Sequence, residues 1–298
     1  MRVLILGGSG MLGHKLAQSF PEHFDTHVSF RSVDAHALHL PGATAAKAHF
    51  GVRADDIPSV DGVLAAVQPD VVVNCIGIVK QDAAAKDPIP SIAINSLFPH
   101  QVAAMCARNN VRLIHISTDC VFSGRGGNYR ENDSPDADDL YGRTKLLGEV
   151  TEYDSLTIRT SIIGRELRSR YGLLEWFLAQ NGKTIRGFTR AIFSGFTTRA
   201  LAQVLGDIIE RRPALRGLWH VASVPISKFD LLSLIKSVYD VKIAIEPDAA
   251  FVCDRSLNGD RFREATGFTP PSWPDMIRDM HDDSTPYAKD ETLHAAPG

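Results

Sequence analysis

A cluster of glycines directly behind a short apolar segment constrains this chain more than any other feature. Residues 2–6 read Arg-Val-Leu-Ile-Leu, an apolar run typical of a parallel strand covered on both faces. Residues 7–13, Gly-Gly-Ser-Gly-Met-Leu-Gly, interrupt the run, and a helical pattern follows. A strand, a glycine turn and a helix in this order predict the first unit of an alternating α/β fold.

The same glycine loop predicts a dinucleotide site. Glycines let the chain turn tightly and bring backbone N–H groups against a pyrophosphate at the helix N-terminus. The loop satisfies both G-x-G-x-x-G and G-x-x-G-x-x-G, so spacing does not select a subclass, and a structural glycine turn of another α/β protein is the alternative. The loop residues assigned to the cofactor are Gly7, Gly10, Met11, Leu12 and Gly13.

Strand and helix patterns alternate along the first half of the chain. Periodicity predicts helices over 57–67, 90–108 and 140–153, and continuous apolar runs predict strands over 71–75 and 112–117. Alternation at this spacing is typical of βαβ units and a parallel sheet with helices on both faces.

The second half has a different pattern, with predicted helices over 173–180, 198–211 and 228–239 and a short strand over 218–221. The acidic tail from Asp275 onward predicts a solvated helix and a frayed terminus.

These patterns predict an α/β fold with two parts. The first is a Rossmann-type, doubly wound parallel sheet over residues 1–165, joined by parts of the second half. The second is a smaller, mixed α/β substrate region over residues 166–298. Ligands of such sheets bind at the carboxyl ends of the strands, where the strand order reverses.

Bulk composition excludes several classes of protein. The 298 residues carry a net charge of −3, which gives no reason to expect nucleic-acid or anionic-membrane binding. No apolar run approaches the roughly 20 residues that span a bilayer. The four cysteines lack paired or metal-type spacing, so we expect reduced thiols in a cytoplasmic protein. The histidines at positions 36, 39 and 49 lack partner carboxylates at ligand spacing, so no metal site is predicted.

Strand ends supply further cofactor candidates. An acidic residue after the second strand would accept from a ribose 2′-hydroxyl, whereas a basic one would pair with a 2′-phosphate. Arg31 follows the predicted strand 27–30 and favours NADP over NAD, although a solvated surface arginine is the alternative. Ile76 and Gly77 follow a later apolar strand, where glycine lets a cofactor approach the backbone; a plain strand-end turn is the alternative reading.

Acid–base chemistry is indicated by Tyr141 and Lys145, which lie on one face of a helix because they are four residues apart. An ammonium about 4–5 Å from a phenol is worth about 4 kcal/mol at an effective dielectric of about 20. That would lower the phenol pKa from about 10 to about 7, where acid–base catalysis is efficient. By spacing alone, an ordinary surface pair is the commoner interpretation. Thr118 and Asp119 end an earlier strand and would face a substrate carbonyl, or form an N-cap cluster.

The order of these motifs resembles the extended short-chain dehydrogenase/reductase superfamily. An N-terminal glycine loop is followed by a strand-end Ser-Thr and, about two dozen residues later, by Tyr-x-x-x-Lys. Residues 117–124, Ser-Thr-Asp-Cys-Val-Phe-Ser-Gly, and 141–149, Tyr-Gly-Arg-Thr-Lys-Leu-Leu-Gly-Glu, are similar to the dTDP-4-dehydrorhamnose reductase family. The resemblance is strongest over roughly residues 1–165.

The resemblance assigns roles to individual residues. Thr118, Tyr141 and Lys145 match the family's catalytic triad, residues 10–13 match its pyrophosphate loop, and Asn95 matches an asparagine behind the active site.

Substrate contacts are expected from Asp119, Cys120, Trp176 and Arg255. The family usually has tyrosine at the position of Cys120, so one polar or stacking contact is missing. Related dehydratases carry Thr-Asp-Glu there, so the cysteine also counts against a dehydratase. Arg255 lies in a stretch loosely similar to the family's loop near the nucleotide. For Trp176, packing in the core is the alternative.

The implied function is NADPH-dependent reduction of the C4 keto group of a nucleotide-activated 4-keto-6-deoxy sugar. NADH is the alternative reductant, Mg²⁺ enters by family resemblance only, and a homodimer is the family default. Three rival functions stay open. They are a sugar-nucleotide epimerase that retains NAD, a bifunctional epimerase-reductase, and a non-catalytic cofactor-binding subunit like that of methionine adenosyltransferase. The nucleotide and the stereochemistry at C4 are also open.

Overall fold

A seven-stranded parallel sheet forms the centre of the protein. The computed structural model describes residues 1–33, 47–167, 170–285 and 287. The strands are β1 (Arg2–Leu6), β2 (Asp25–Phe30), β3 (Lys47–Phe50), β4 (Val71–Asn74), β5 (Arg112–Ile116), β6 (Ser155–Arg159), β7 (Ile162–Ile163), β8 (Thr184–Phe193), β9 (Phe196–Thr197), β10 (Gly217–His220), β11 (Ile226–Ser227) and β12 (Ala244–Asp254).

The strand order of the central sheet is β10-β6-β5-β4-β1-β2-β3, and every neighbouring pair is parallel. The order reverses between β1 and β4, which is the switch point at which ligands of doubly wound sheets bind.

Helices cover both faces of this sheet. They are α1 (Met11–Ser19), α2 (Ile57–Val67), α3 (Pro88–Ser91), α4 (Phe98–Arg108), α5 (Leu140–Leu147), α6 (Leu173–Leu178), α7 (Thr198–Arg211), α8 (Lys228–Tyr239), α9 (Asp260–Thr266) and α10 (Trp273–His281). A π-helical turn, Ile92–Leu97, joins α3 to α4. Single 3₁₀ turns occur at Phe20–Glu22, Ala83–Lys86 and Asp119–Val121. No helix in the described ranges combines the length and the apolar character that a membrane crossing requires.

The apolar run of β1 is explained by burial on both faces. Val3 and Ile5 pack into the core cluster that includes α1 and α7, whereas Leu4 and Leu6 pack into the opposite cluster with α2 and α4. Alternate side chains of a strand point to opposite faces, so residues 3–6 of β1, which are covered on both sides, are all apolar. The predicted Rossmann-type α/β fold is confirmed.

The smaller region contains a three-stranded sheet in the order β11-β8-β12, in which β12 is parallel and β11 antiparallel to β8. The chain returns to the central sheet after leaving it, because β10 pairs with β6 and α7 packs beside α1. A division of the chain at residue 165 therefore stays a prediction.

Two predicted elements were wrong in extent. The helix predicted over 140–153 ends at Leu147, because the next residues are tied to β6. Val150 exchanges two hydrogen bonds with the Thr157 hydroxyl, and Glu149 forms a bidentate ion pair with Arg159.

The predicted frayed C-terminus also needs correction. The apolar face of α10 is buried, and the Asp283 carboxylate pairs with Lys15 on α1. The Tyr287 hydroxyl lies 3.1 Å from His14 Nε2. Residues 288–298 of the predicted tail, and the histidines at 36 and 39 weighed as metal ligands, lie outside the described residues.

Buried histidines predict acid sensitivity. Burial lowers the pKa of His14 and His220 to about 4 and holds that of His115 well below its ordinary value. These rings are neutral when folded, whereas the unfolded chain binds protons near pH 6.5. Their contribution to stability is therefore complete above pH 6.5 and is lost as the pH falls toward 4. We expect urea unfolding to show a loss of about 2 kcal/mol each for His14 and His220 between pH 7.5 and 5.

His220→Gln is the informative variant for this prediction. In the wild-type protein the ring is held between Tyr129 O and the Arg159 guanidinium, an arrangement that suits only neutral histidine. The variant should show a smaller loss of stability on acidification, and the exposed His23→Gln control should match the wild type. An unfolding free energy independent of pH over this range would contradict the prediction.

Candidate active site

The glycine loop between β1 and α1 is closed by contacts that exclude side chains. Gly7 has φ +93°, and a Cβ there would lie 2.9 Å from Ile76 Cγ1. A Cβ on Gly13 would lie 2.1 Å from Gly7 O, and the Gly10 N–H donates to that same carbonyl at 3.1 Å. The loop therefore requires glycine at positions 7 and 13 for steric reasons.

The N-terminus of α1 is open for an anion. Gly10 is its N-cap, and no side chain in the described part of the chain caps it. The N–H groups of Met11 and Leu12 in this first turn suit a phosphate, since a helix N-terminus favours negative charge. His14 Nδ1–H donates to Gly10 O at 2.8 Å and steadies the cap. These residues fit the pyrophosphate of a nicotinamide dinucleotide.

The other predicted cofactor residues lie at the carboxyl ends of neighbouring strands. Ile76 and Gly77 follow β4, and Ile76 packs against Gly7. A Cβ on Gly77 would lie 3.9 Å from Lys145 Nζ, so Gly77 keeps the space beside Lys145 open. Arg31 is exposed directly after β2, at the edge where an adenosine ribose would lie.

Asn95 lies in the π-helical turn between α3 and α4. Its side chain accepts from the Ile78 N–H at 2.9 Å and donates to Ile78 O at 3.1 Å, which holds the segment after Gly77 in place. Short π-helical turns inside α-helices are frequent at functional sites. A residue behind the site thus sets the backbone position of a cofactor residue.

Thr118, Tyr141 and Lys145 come together across the ends of β5 and α5. The Thr118 hydroxyl donates to Asp119 Oδ1 at 3.1 Å and accepts from the Cys120 N–H. It is also close enough to the Tyr141 phenol to lower the phenol pKa by hydrogen bonding. Lys145 is buried, and its Nζ donates to Ile116 O at 2.8 Å. Burial lowers the Lys145 pKa to about 8.

The expected effect of Lys145 on Tyr141 was wrong for this structure. The Tyr141 pKa is raised above its ordinary value, first because burial disfavours the phenolate and then because Cys120 and Asp119 add negative charge. The Lys145 ammonium is instead bonded to Ile116 O. The phenol is protonated at neutral pH, which is the form that a proton donor needs, but the raised pKa makes it a weaker acid than the sequence led us to expect.

Asp119, Cys120 and Arg255 form the predicted substrate side of the site. Asp119 is buried, which raises its pKa, while the Arg255 charge acts in the opposite direction. The Arg255 guanidinium donates to Phe122 O at 2.8 Å and lies 3.9 Å from Cys120 Sγ. The charge of Lys228, a residue that was not predicted from the sequence, also lowers the Asp119 pKa. A serine followed by lysine at a helix start carries no signal that would have revealed it.

Trp176 lies elsewhere. It is 41% exposed on α6, one turn from Gly172, where an added Cβ would lie 2.8 Å from Met11 Cε. Within the described residues it makes no hydrogen bond or ring contact with Thr118, Tyr141 or Cys120. Its substrate role stays a prediction. The described ranges also contain no group of three or more His, Cys, Asp or Glu residues able to hold a metal ion, so the expectation of Mg²⁺ has no support.

A glycine loop at the switch point, beside a Thr-Tyr-Lys constellation, defines an NAD(P)-dependent oxidoreductase of the extended short-chain dehydrogenase/reductase class. The family model described as RmlD substrate binding domain matches residues 1–285. The chain belongs to this family.

Individual relatives agree with this placement. The dTDP-4-dehydrorhamnose reductase of Mycolicibacterium smegmatis is 31% identical over 171 residues, which covers 55% of this chain and 46% of that relative. Methionine adenosyltransferase 2 subunit beta of Bos taurus is 31% identical over 257 residues, which covers 80% of this chain and 72% of that relative. A solved structure of a hypothetical dTDP-4-dehydrorhamnose reductase from Sulfolobus tokodaii has a TM-score of 0.75 at 27% identity, covering 92% of this chain and 98% of that one.

Proposed function

We propose that the protein reduces the C4 keto group of a nucleotide-linked 4-keto-6-deoxy sugar with NADPH. The observation that carries the proposal is the buried Tyr141 phenol within hydrogen-bonding reach of the Thr118 hydroxyl, next to a glycine loop that fits a dinucleotide. Ketone reduction needs a proton donor at the carbonyl oxygen, and this arrangement provides one.

Each residue has a separate task in this reaction. The bound nicotinamide cofactor supplies the hydride. Tyr141 donates its proton to the substrate oxygen, and Thr118 hydrogen-bonds the same oxygen as negative charge develops there. Lys145 lies beside Gly77, where its ammonium is placed to hold the ribose of the cofactor. Because the pKa of Lys145 is lowered to about 8 by burial, this contact weakens above that pH.

The reaction is tested by following NADPH absorbance with a panel of dTDP-, UDP- and GDP-linked 4-keto sugars. Stoichiometric loss of NADPH with one member of the panel supports the reductase. Interconversion of sugars without net cofactor consumption, with NAD released from the denatured protein, would instead establish an epimerase.

A second candidate is a non-catalytic cofactor-binding subunit. The extent of the similarity to methionine adenosyltransferase 2 subunit beta favours it. Thr118, Tyr141 and Lys145 argue against it, because cofactor binding alone requires no proton donor. Tight NADPH binding without turnover of any keto sugar in the panel would support this candidate.

We expect Arg31→Ala to reduce discrimination between the two reductants. The exposed guanidinium follows β2, where it would pair with a 2′-phosphate that NADH lacks. A charge-assisted contact of about 1.5 kcal/mol corresponds to about a tenfold loss in kcat/KM for NADPH, with little change for NADH. Arg108→Ala, an exposed arginine at the end of α4, is the control. A wild-type preference for NADH, unchanged in the variant, would contradict the assignment.

A further inference from the structure

Lys228 has an environment unlike that of an ordinary surface lysine. It is the first residue of α8, partly buried, and its Nζ lies 4.2 Å from the centroid of the Phe193 ring. Within the described residues its ammonium has no hydrogen bond and no ion pair. A desolvated charge without a partner is unfavourable, and burial accordingly lowers the Lys228 pKa to about 8.

The small sheet places a second cation beside Lys228. Ser227 in β11 and Asp254 in β12 are both in register with Ile192 of β8. Lys228 and Arg255 are the residues that follow these two strand ends, so they lie on either side of β8. Their side chains converge on the 3₁₀ turn of the Rossmann part.

The charges of both cations affect one carboxylate. Both Lys228 and Arg255 act to lower the pKa of buried Asp119, whose burial raises it. The Asp119 charge in turn raises the pKa of the Tyr141 phenol, so the cluster adjoins the proton donor. Two cations around a single carboxylate leave an excess positive charge at the substrate side of the site.

We propose that Lys228 is a specificity-determining residue which, together with Arg255, binds an anionic group of a nucleotide-linked sugar. The anion is the diphosphate that links the nucleotide to the sugar. This inference rests on the proposed function, in that it takes the substrate to be a sugar nucleotide. Beyond that function, it states that Lys228, a residue of the smaller region, makes the site prefer a charged sugar nucleotide to a neutral sugar.

Binding measured by calorimetry on the NADPH-loaded full chain tests the proposal. The probes are UDP, dTDP, UDP-glucose and UDP-glucuronate, and the variants are Lys228→Met, Lys228→Arg and the control Lys236→Met at the exposed end of the same helix. We expect Lys228→Met to bind at least tenfold more weakly and Lys228→Arg to retain most of the affinity, since removing one partner of a desolvated charge pair is costly. Lys236→Met should match the wild type.

The pattern across probes identifies the anion. Weakening of all four probes supports the assignment of Lys228 to the diphosphate, whereas weakening confined to UDP-glucuronate would contradict it, because a 6-deoxy sugar has no carboxylate at C6.

A pH series separates binding from a structural role. The affinity of the wild-type protein for the probes should fall above about pH 8, because Lys228 loses its charge there. The titratable and charged groups around it are Asp119, Cys120, Cys253 and Arg255. The Lys228→Arg variant should not show this loss. Ligand-free Lys228→Met should melt at or above the wild-type temperature, because a desolvated charge has been removed; a large decrease would point to packing on Phe193 instead.

Two failures are distinguishable. If Lys228→Met binds all four probes as tightly as the wild type does, the role of Lys228 is overturned and the proposed function is unaffected. A wild-type protein that binds NADPH but none of the four probes contradicts the sugar-nucleotide substrate, and the role of Lys228 with it.

Discussion

Replacing Tyr141 with phenylalanine should abolish most of the keto-sugar reduction while leaving cofactor binding unchanged. The substitution removes only the phenolic hydroxyl and with it the proton donor, and general acid catalysis typically contributes 10²- to 10⁴-fold in rate. We therefore expect kcat to fall by about 10³-fold, with the Kd for NADPH within about twofold of wild type. Stopped-flow turnover and fluorescence titration of NADPH measure the two quantities separately.

Tyr153→Phe is the matched control, since this tyrosine is 63% exposed and lies twelve residues beyond Tyr141. It should have wild-type kinetics. If Tyr141→Phe also turned over a keto sugar at a near-normal rate, Tyr141 would not be the proton donor, and a water or another side chain would have to supply the proton.

Gly13→Ala should disrupt the dinucleotide site through the backbone alone. The added Cβ would lie 2.1 Å from Gly7 O and 2.9 Å from Gly7 C, and neither backbone atom can move without opening the loop. Loss of two backbone hydrogen bonds to a charged phosphate, at about 1.5 kcal/mol each, corresponds to about a hundredfold increase in the Kd for NADPH. Isothermal titration with NADPH measures this change.

Gly62→Ala provides the control for a glycine with free space. No heavy atom lies within 4 Å of a Cβ at this position, which is on the exposed side of α2. This variant should gain up to about 1 kcal/mol in unfolding free energy from helix propensity and bind NADPH normally. A Gly13→Ala protein that is folded and binds NADPH with wild-type affinity would remove the loop from the cofactor site.

Much of the fold could be predicted because its signals are local. The predicted bounds of α2, α7 and α8 agree with the structure, since helical periodicity and capping residues are contained within each segment. β8 and β12 were not predicted. Thr184–Phe193 and Ala244–Asp254 mix polar and apolar residues at both faces, and their pairing joins segments about sixty residues apart.

The site could be predicted only in part, for a similar reason. Thr118, Tyr141 and Lys145 were identified from motif order, and the structure brings them together. Lys228 was missed, because its proximity to Asp119 depends on how the smaller region packs over the ends of the central strands.

By itself, the sequence determined the steric and periodic features of this protein. Gly13 is required by a contact within its own loop, Gly7 by a backbone φ of +93°, and the apolar residues of β1 form a continuous local run. Only the tertiary structure decided the electrostatics. The raised pKa of Tyr141 arises mainly from desolvation, and Lys228 and Asp119, which interact electrostatically, lie on segments about a hundred residues apart. Burial and distance in space are properties of the folded chain, and a local pattern cannot encode them.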